Sequence, residues 1–277
     1  MSLFRTKAKE GKGVYKGEMR PIRPLYFFQI FGRKFWKLIQ MNLLYIVMTL
    51  PIWIAVGLLI FNENFFVDFS FKFAGSFLYI LSLVFIFFSP LIGPSTAGMT
   101  YVLKSYATET PVFQYSDFFE QFKKNFKQGT LLSLVTGVFL LSFSFTLMHG
   151  DSALIGNGQA TLSVLRIPLL VVNLMLIFIN YYAYTIMVMF ELKFSDLIKN
   201  SFIFALAKLP LNLLIFILVC AISYFAYHYL IIGLALNLLI LYAFCGFLVV
   251  FSIYPTVEKH MLIPAQKQKN DFENIIE

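Results

Sequence analysis

The sequence predicts an all-α, polytopic membrane protein with six transmembrane helices. Three observations carry this prediction: 59% of the 277 residues are hydrophobic, only 13% are charged, and the apolar residues fall into long runs. Each run is close to the ~20 residues that an α-helix needs to cross the ~30 Å hydrocarbon layer. The six runs cover residues 38–61, 73–94, 130–148, 167–190, 210–230 and 231–254.

The basic residues are unevenly distributed around these runs. Of the 22 Lys and Arg residues, all but Lys72 and Arg166 fall before the first run, in the second and fourth connections, or after the last run. The positive-inside bias therefore places both termini in the cytoplasm. The basic N-terminal stretch has no apolar run of its own, so we expect the first span to act as an uncleaved insertion signal. We predict a basic cytoplasmic arm at 1–25, a six-span membrane domain at 26–257 and a cytoplasmic tail at 258–277.

An amphipathic stretch precedes the first span. Between residues 26 and 39 apolar side chains recur at helical spacing opposite basic ones, which predicts a helix in the membrane interface. Pro51, within the first span, removes one backbone donor and is expected to bend it. The apolar residues are Phe27, Phe28, Phe31, Phe35 and Ile39, and the basic ones are Arg33, Lys34 and Lys37.

The second span ends in a segment rich in proline and glycine. Residues 89–98 carry the helix-break candidates Pro90, Gly93, Pro94 and Gly98, before a helix resumes over 96–106. Such a break at membrane depth requires neighbouring helices or water to satisfy the freed carbonyl groups. It is either a structural kink or a segment that binds a solute.

The second connection contains the most regular amphipathic pattern of the chain. Residues 115–127 place five aromatic side chains on one stripe, and Ser116 or Asp117 is expected to cap the helix. This predicts a cytoplasmic surface helix whose charges contact either a protein partner or lipid headgroups. The candidate contact residues are Asp117, Lys123, Lys124 and Lys127.

The same aromatic-Ser-Asp pattern returns 79 residues later, at residues 194–198, again between an entering and a leaving span. This predicts a second cytoplasmic amphipathic helix and a parallel internal repeat of span, surface helix and span. Ser195 and Asp196 are the corresponding contact candidates. The last span and the segment at 26–61 would form a third copy, split between the termini.

Polar residues inside the spans are uncharged, which argues against an ion pump or a proton-driven carrier. Five asparagines there either line a solute path or join packed helices. Gly129, Ser133 and Gly137 give the third span a smooth face, for internal packing or for another subunit. The asparagines are Asn42, Asn173, Asn180, Asn212 and Asn237.

No arrangement of residues points to catalysis. The three histidines lie on separate connections, and Cys220 and Cys245 lie in apolar runs without the spacing of a metal site. We therefore expect no enzymatic activity, no catalytic residues, no cofactor and no metal site. The net charge of +8 lies beside the spans, which suits anionic lipid headgroups and not nucleic acid.

Three segments carry a resemblance to a known family. They are residues 42–51 (NLLYIVMTLP), 93–103 (GPSTAGMTYVL) and 116–128 (SDFFEQFKKNFKQ). Over residues 25–255 the chain resembles the YesL family of bacterial integral membrane proteins, whose function is undetermined. The genes of that family often lie beside those for carbohydrate ABC importers and glycoside degradation. The resemblance implies a location in the bacterial plasma membrane and contact with the permease or nucleotide-binding subunits of such an importer.

The leading hypothesis is a non-enzymatic accessory subunit or regulator of a carbohydrate ABC importer. The alternative is an independent channel or facilitator for a small solute, with the segment at 89–98 as its gate or binding site.

Overall fold

The computed structural model describes residues 23–54, 71–149, 165–228, 233 and 235–265, and the regular secondary structure in these ranges is entirely helical. The predicted arm up to residue 22, the first-span residues 55–61, the connection at 150–164 and the tail from residue 266 lie outside the described residues. The helices are α1 (Arg23–Met48), α2 (Phe71–Phe87), α3 (Ser89–Ala107), α4 (Gln114–Lys124), α5 (Phe126–His149), α6 (Arg166–Met187), α7 (Phe194–Ala207), α8 (Leu209–His228) and α9 (Tyr242–Val257).

Among the described residues, four helices are long and apolar enough to cross a membrane. The pair formed by α2 and α3, bent by 78°, would supply a fifth if it counts as one span. The described residues are therefore all-helical, with four or five helices that are candidates to span a membrane, and the count of six stays a prediction. The four spans are Phe126–Leu147, Arg166–Met187, Leu209–Ala226 and Asn237–Ala265.

Helix α3 lies at the centre of the bundle, in contact with α1, α4, α5, α6 and α9. Thirteen of its nineteen residues are buried, and many of these are small. Small residues allow the neighbouring helices to approach closely. Ala97 belongs to a core cluster formed mainly by α6, while Val102 and Leu103 belong to a second cluster with α1 and α9. The Gly-Pro-Ser-Thr-Ala-Gly segment is thus the packing centre of the described fold.

The break in the second span lies at Phe88 and not within residues 89–98. The backbone is helical again from Ser89 onward, with Pro90 in the first turn, where a missing N–H costs little. Pro94 lies inside the helix, as do the two glycines. The predicted interruption is therefore one sharp bend followed by a continuous helix.

The glycines of α3 allow close helix contact. A Cβ on Gly93 would overlap the carbonyl oxygen of Gly129, and one on Gly98 would come within 2.7 Å of the Phe118 carbonyl oxygen. The hydroxyl of Ser133 donates to the Ser89 carbonyl at 2.9 Å, which closes the same contact. The smooth face of the third span is therefore used for packing within the chain, against α2 and α3.

The amphipathic stretch before the first span is not a separate helix. Residues 26–39 belong to α1, which continues to Met48 before a turn at Thr49 and a further helical turn over 50–54. Phe27 is buried against Phe247 and Phe251 of α9, while Phe28 is 62% exposed. Contact with α9, which periodicity cannot reveal, decides which aromatic side chains are buried.

The two predicted surface helices exist as α4 and α7, and each follows a six-residue connection, at 108–113 and 188–193. Both begin before the Ser-Asp pair, with Phe113 and Lys193 at the N-cap positions and no side-chain cap. Asp117 instead accepts a hydrogen bond from the Phe113 N–H at 3.0 Å. The prediction that the Ser-Asp pair caps these helices is therefore wrong, although the Asp117 carboxylate still binds the backbone of the first turn of α4.

The last helix extends further than predicted. Two π-helical turns, Asn237–Leu241 and Glu258–Leu262, flank α9, and helical residues continue to 265. The first eight residues of the predicted tail are thus part of this helix.

Candidate functional site

The predicted contact residues lie at one end of the bundle, which we call the basic end. It consists of the start of α1, the connection 108–113, helix α4, the connection 188–193 and helix α7. The segments are joined by hydrogen bonds and ion pairs between residues far apart in sequence, so tertiary contacts gather them.

One set of contacts joins α1 to the corner between α3 and α4. Arg33 forms an ion pair with Glu109, and the side-chain amide of Gln114 donates to the Lys37 carbonyl at 2.8 Å. The Lys34 ammonium lies 5.7 Å from the centre of the Tyr106 ring, within cation–π range. Glu109 holds a positive φ of 56°, which turns the chain sharply at this corner.

A second set joins the two surface-helix units. The Lys124 ammonium lies 2.7 Å from the Glu191 carboxylate, and the Gln128 amide donates to the Leu192 carbonyl at 2.7 Å. The hydrogen bond with Glu191 raises the pKa of Lys124 and, reciprocally, lowers the pKa of Glu191. Both side chains are at least half exposed, so water and salt screen their attraction.

The predicted contact residues have different environments. Lys123 and Lys127 are exposed and make no ion pair with the described part of the chain, whereas Lys124 is held by Glu191. Ser195 and Asp196 are exposed in the first turn of α7. The structure thus leaves Lys123 and Lys127 as the free cations of the predicted set, next to the exposed rings of Phe119 and Phe126.

The residues that join the segments of this end are not recognisable from the sequence pattern. The contacts between units are made by Arg33, Glu109, Gln128 and Glu191, none of which belongs to the predicted contact residues. Their partners are 64 to 76 residues away, so no local pattern identifies them. One local signal exists, because Glu191 is a charged residue directly after an apolar run.

Four of the five asparagines within the spans bond across helix contacts, whereas the Asn237 amide bonds to the Gly233 carbonyl in its own helix. Asn42 is fully buried and donates to the carbonyls of Asn237 (2.9 Å) and Leu238 (2.8 Å), while its oxygen accepts the Ala243 N–H at 3.0 Å. It satisfies backbone groups that the π-helical turn frees. Asn180 and Asn212 likewise bond across helices, to Thr136 and Tyr182. Joining helices, rather than lining a solute path, accounts for these contacts.

A cavity of about 680 Å³ lies beside the bend at Phe88, between the end of α1 and helices α2, α3, α5 and α9. None of the described residues that line it is charged. Its volume falls within the range of ligand pockets, about 300–1,000 Å³. The apolar wall includes Leu78, Leu81, Phe85, Ile92, Leu140 and Phe143.

The described residues contain no group of three or more His, Cys, Asp or Glu side chains placed to hold a metal ion. The side chains at the basic end are suited to binding a partner through charge and aromatic contact. The side chains that line the cavity are suited to binding an apolar ligand.

Comparison with known proteins gives a partial family match. Residues 38–146, less than half of the chain, match a family described as "Protein of unknown function, DUF624". The matched region contains the later part of α1, helices α2 to α4 and nearly all of α5. No curated protein and no solved structure matches the chain. The chain is thus similar, over α2 to α4 and their flanking helices, to an uncharacterised family.

Proposed function

We propose that this chain is a non-enzymatic plasma-membrane protein that acts as an accessory subunit or regulator of a carbohydrate ABC importer. In this proposal the chain has six spans, both termini lie in the cytoplasm, and the basic end docks on a permease or nucleotide-binding subunit. The observation that carries docking is the pair Lys123 and Lys127, exposed beside aromatic rings and unused by the described fold. The identity of the importer rests on the resemblance to the YesL family.

The proposal includes a parallel duplication of the unit formed by a span, a surface helix and a span. The two copies are α3, α4 and α5, and α6, α7 and α8. Equal connections of six residues, each beginning with a two-residue turn, support it. Docking would then use two similar surface helices, joined through Lys124 and Glu191.

Charge reversal tests docking. We would purify the tagged protein from its native membrane in mild detergent as the unmodified chain, as Lys123→Glu/Lys127→Glu, and as the control Lys123→Arg/Lys127→Arg. We expect the importer permease to co-purify in a fixed ratio with the unmodified chain and with the arginine control. We expect no permease with the charge-reversed variant. Lys124 is left unchanged because it already pairs with Glu191 of the same chain.

Equal recovery of the permease with all three forms would contradict docking through this face. Failure to recover any permease would contradict the accessory role itself. Loss of anionic lipid alone from the reversed variant would assign the lysines to headgroups instead. Equal amounts of each variant in the membrane fraction establish that insertion is unchanged.

The cavity beside Phe88 is the observation that favours the second candidate, a facilitator, and its apolar lining restricts the solute to a small apolar molecule. Replacing Gly93 or Gly98 is unsuited to test it, because Gly129 and Phe118 occupy the space around them. Solute flux into liposomes, compared between the unmodified chain and the cavity-filling variant Leu81→Phe/Leu140→Phe, is the appropriate measurement. Flux that the filling variant blocks would support the facilitator, and absence of flux would contradict it.

A further inference from the structure

The chemistry of the cavity beside Phe88 restricts what can fill it. Its walls are aliphatic and aromatic, and its few polar atoms are already engaged. The Thr49 hydroxyl donates to the Tyr45 carbonyl at 2.8 Å and accepts from the Trp53 ring N–H at 3.2 Å. The Ser82 hydroxyl donates to the Tyr79 carbonyl at 2.7 Å.

A hydrated solute is a poor occupant of such a space. A sugar would lose its hydrogen bonds to water and find few partners on the wall, which is unfavourable. Water itself needs two to four polar partners per molecule, and an apolar cavity stays dry. The polar groups of Tyr45, Thr49 and Ser82 are too few and too committed to meet that need.

The cavity of about 680 Å³ is only partly enclosed, so the medium around the helices can enter it. The apolar side chains that line it gain dispersion contacts when an apolar group fills the space. Hydrocarbon is the filling that matches the wall. The surrounding bilayer supplies it, because the outer faces of the same helices expose Leu50, Leu83 and Val138 to lipid.

We propose that the cavity between α1, α2, α3, α5 and α9 binds one hydrocarbon chain of a membrane lipid. The chain enters sideways from the bilayer and packs against Leu81, Phe85 and Leu140, with Trp53 and Tyr242 at the α1 and α9 side of the cavity. The headgroup stays outside, because the described residues of the wall carry no charge to receive it. This site does not depend on the proposed docking at the basic end, and either can fail alone.

Trp53 makes the site measurable. The chain has two tryptophans, and Trp36 is 74% exposed on α1, well before the cavity. In Trp36→Phe, the tryptophan fluorescence comes from Trp53 alone. We would titrate this variant in detergent with a fatty acid brominated in the middle of its chain, which quenches tryptophan on contact.

We expect the quenching to saturate near one equivalent of the brominated fatty acid. We also expect unlabelled stearic acid to reverse it. Adding Leu81→Phe/Leu140→Phe should remove the saturable part. The matched control adds Leu83→Phe/Leu134→Phe on the lipid-facing sides of the same helices and should retain it. Quenching that rises without saturation and is equal in both variants would overturn the proposal, because Trp53 would then only contact bulk hydrocarbon.

Native mass spectrometry of the unmodified protein tests the proposal without any substitution, in case the filled variant does not fold. One bound lipid that survives repeated delipidation is expected, and its mass distinguishes a phospholipid from a free fatty acid. A bound sugar, or no bound mass at all, would overturn the proposal.

Discussion

Single residues hold the described fold at points where the backbone departs from regular geometry. Asn42 binds three backbone groups of the turn Asn237–Leu241 and of Ala243, all across a helix contact. The Lys124 and Glu191 pair closes the junction between the two surface-helix units. One contact is buried and the other exposed, so their loss should have different consequences.

Asn42→Leu should lower the free energy of unfolding by about 1–3 kcal/mol, because the substitution leaves buried carbonyls and an N–H without partners. Unfolding by SDS titration in mixed micelles is the measurement. Asn237→Leu is the matched control and should cost less, because the Asn237 amide bonds only to the Gly233 carbonyl one turn away in the same helix. Equal losses in the two variants would contradict the special role of Asn42.

The junction between Lys124 and Glu191 should open at acidic pH. The lowered pKa of Glu191 means that its contribution is present above the unfolded-state pKa and is lost as the pH falls through the folded-state value. The raised pKa of Lys124 means that its contribution is lost only as the pH rises through its own folded-state value. At neutral pH both side chains are therefore charged and the ion pair is formed.

Spin labels at Lys123→Cys and Lys193→Cys, with Cys220 and Cys245 replaced by alanine, measure this opening. The distance distribution should be narrow at neutral pH and broad at about pH 3, below the ordinary Glu pKa of ~4.3. Glu191→Gln should be broad at both pH values. A distribution unchanged by pH would show that the Gln128 contact with Leu192 closes the junction alone.

At the scale of elements, the crossing of α3 and α5 depends on glycine. Gly93→Ala should destabilise the protein by about 1–3 kcal/mol, because the added methyl group overlaps the Gly129 backbone and forces the two helices apart. Thermal unfolding in detergent is the measurement. Gly32→Ala, on α1, has open space around its Cβ and should be neutral or stabilising by about 0.5–1 kcal/mol. Similar effects of the two substitutions would argue against close packing at this crossing.

At the scale of the whole molecule, the proposed topology places Ser116 and Ser195 in the cytoplasm and Ser152 outside. In a chain with Cys220 and Cys245 replaced by alanine, a membrane-impermeant maleimide should label Ser152→Cys in intact cells. It should label Ser116→Cys and Ser195→Cys only after the membrane is opened. Labelling of all three positions in intact cells, or of opposite positions, would contradict the orientation that the basic residues predict.

The sequence by itself determined that the chain is helical, that several helices are apolar enough to span a bilayer, and that α4 and α7 exist. Those properties follow from local composition and periodicity, which act within one helix. The buried side of α1 required the tertiary structure, because contact with α9 decides which of its aromatic side chains are buried. The bend at Phe88 and the starts of α4 and α7 are likewise visible only in the folded chain.

The functional candidates divide in the same way. Lys123 and Lys127 were predictable because charge opposite an aromatic stripe marks a surface. The bonds of Glu191, Gln128 and Asn42 join segments 64 to 201 residues apart, and the cavity lies among residues of five helices. Only folding places these groups together, since the free energy of each contact depends on a neighbour that is distant along the chain.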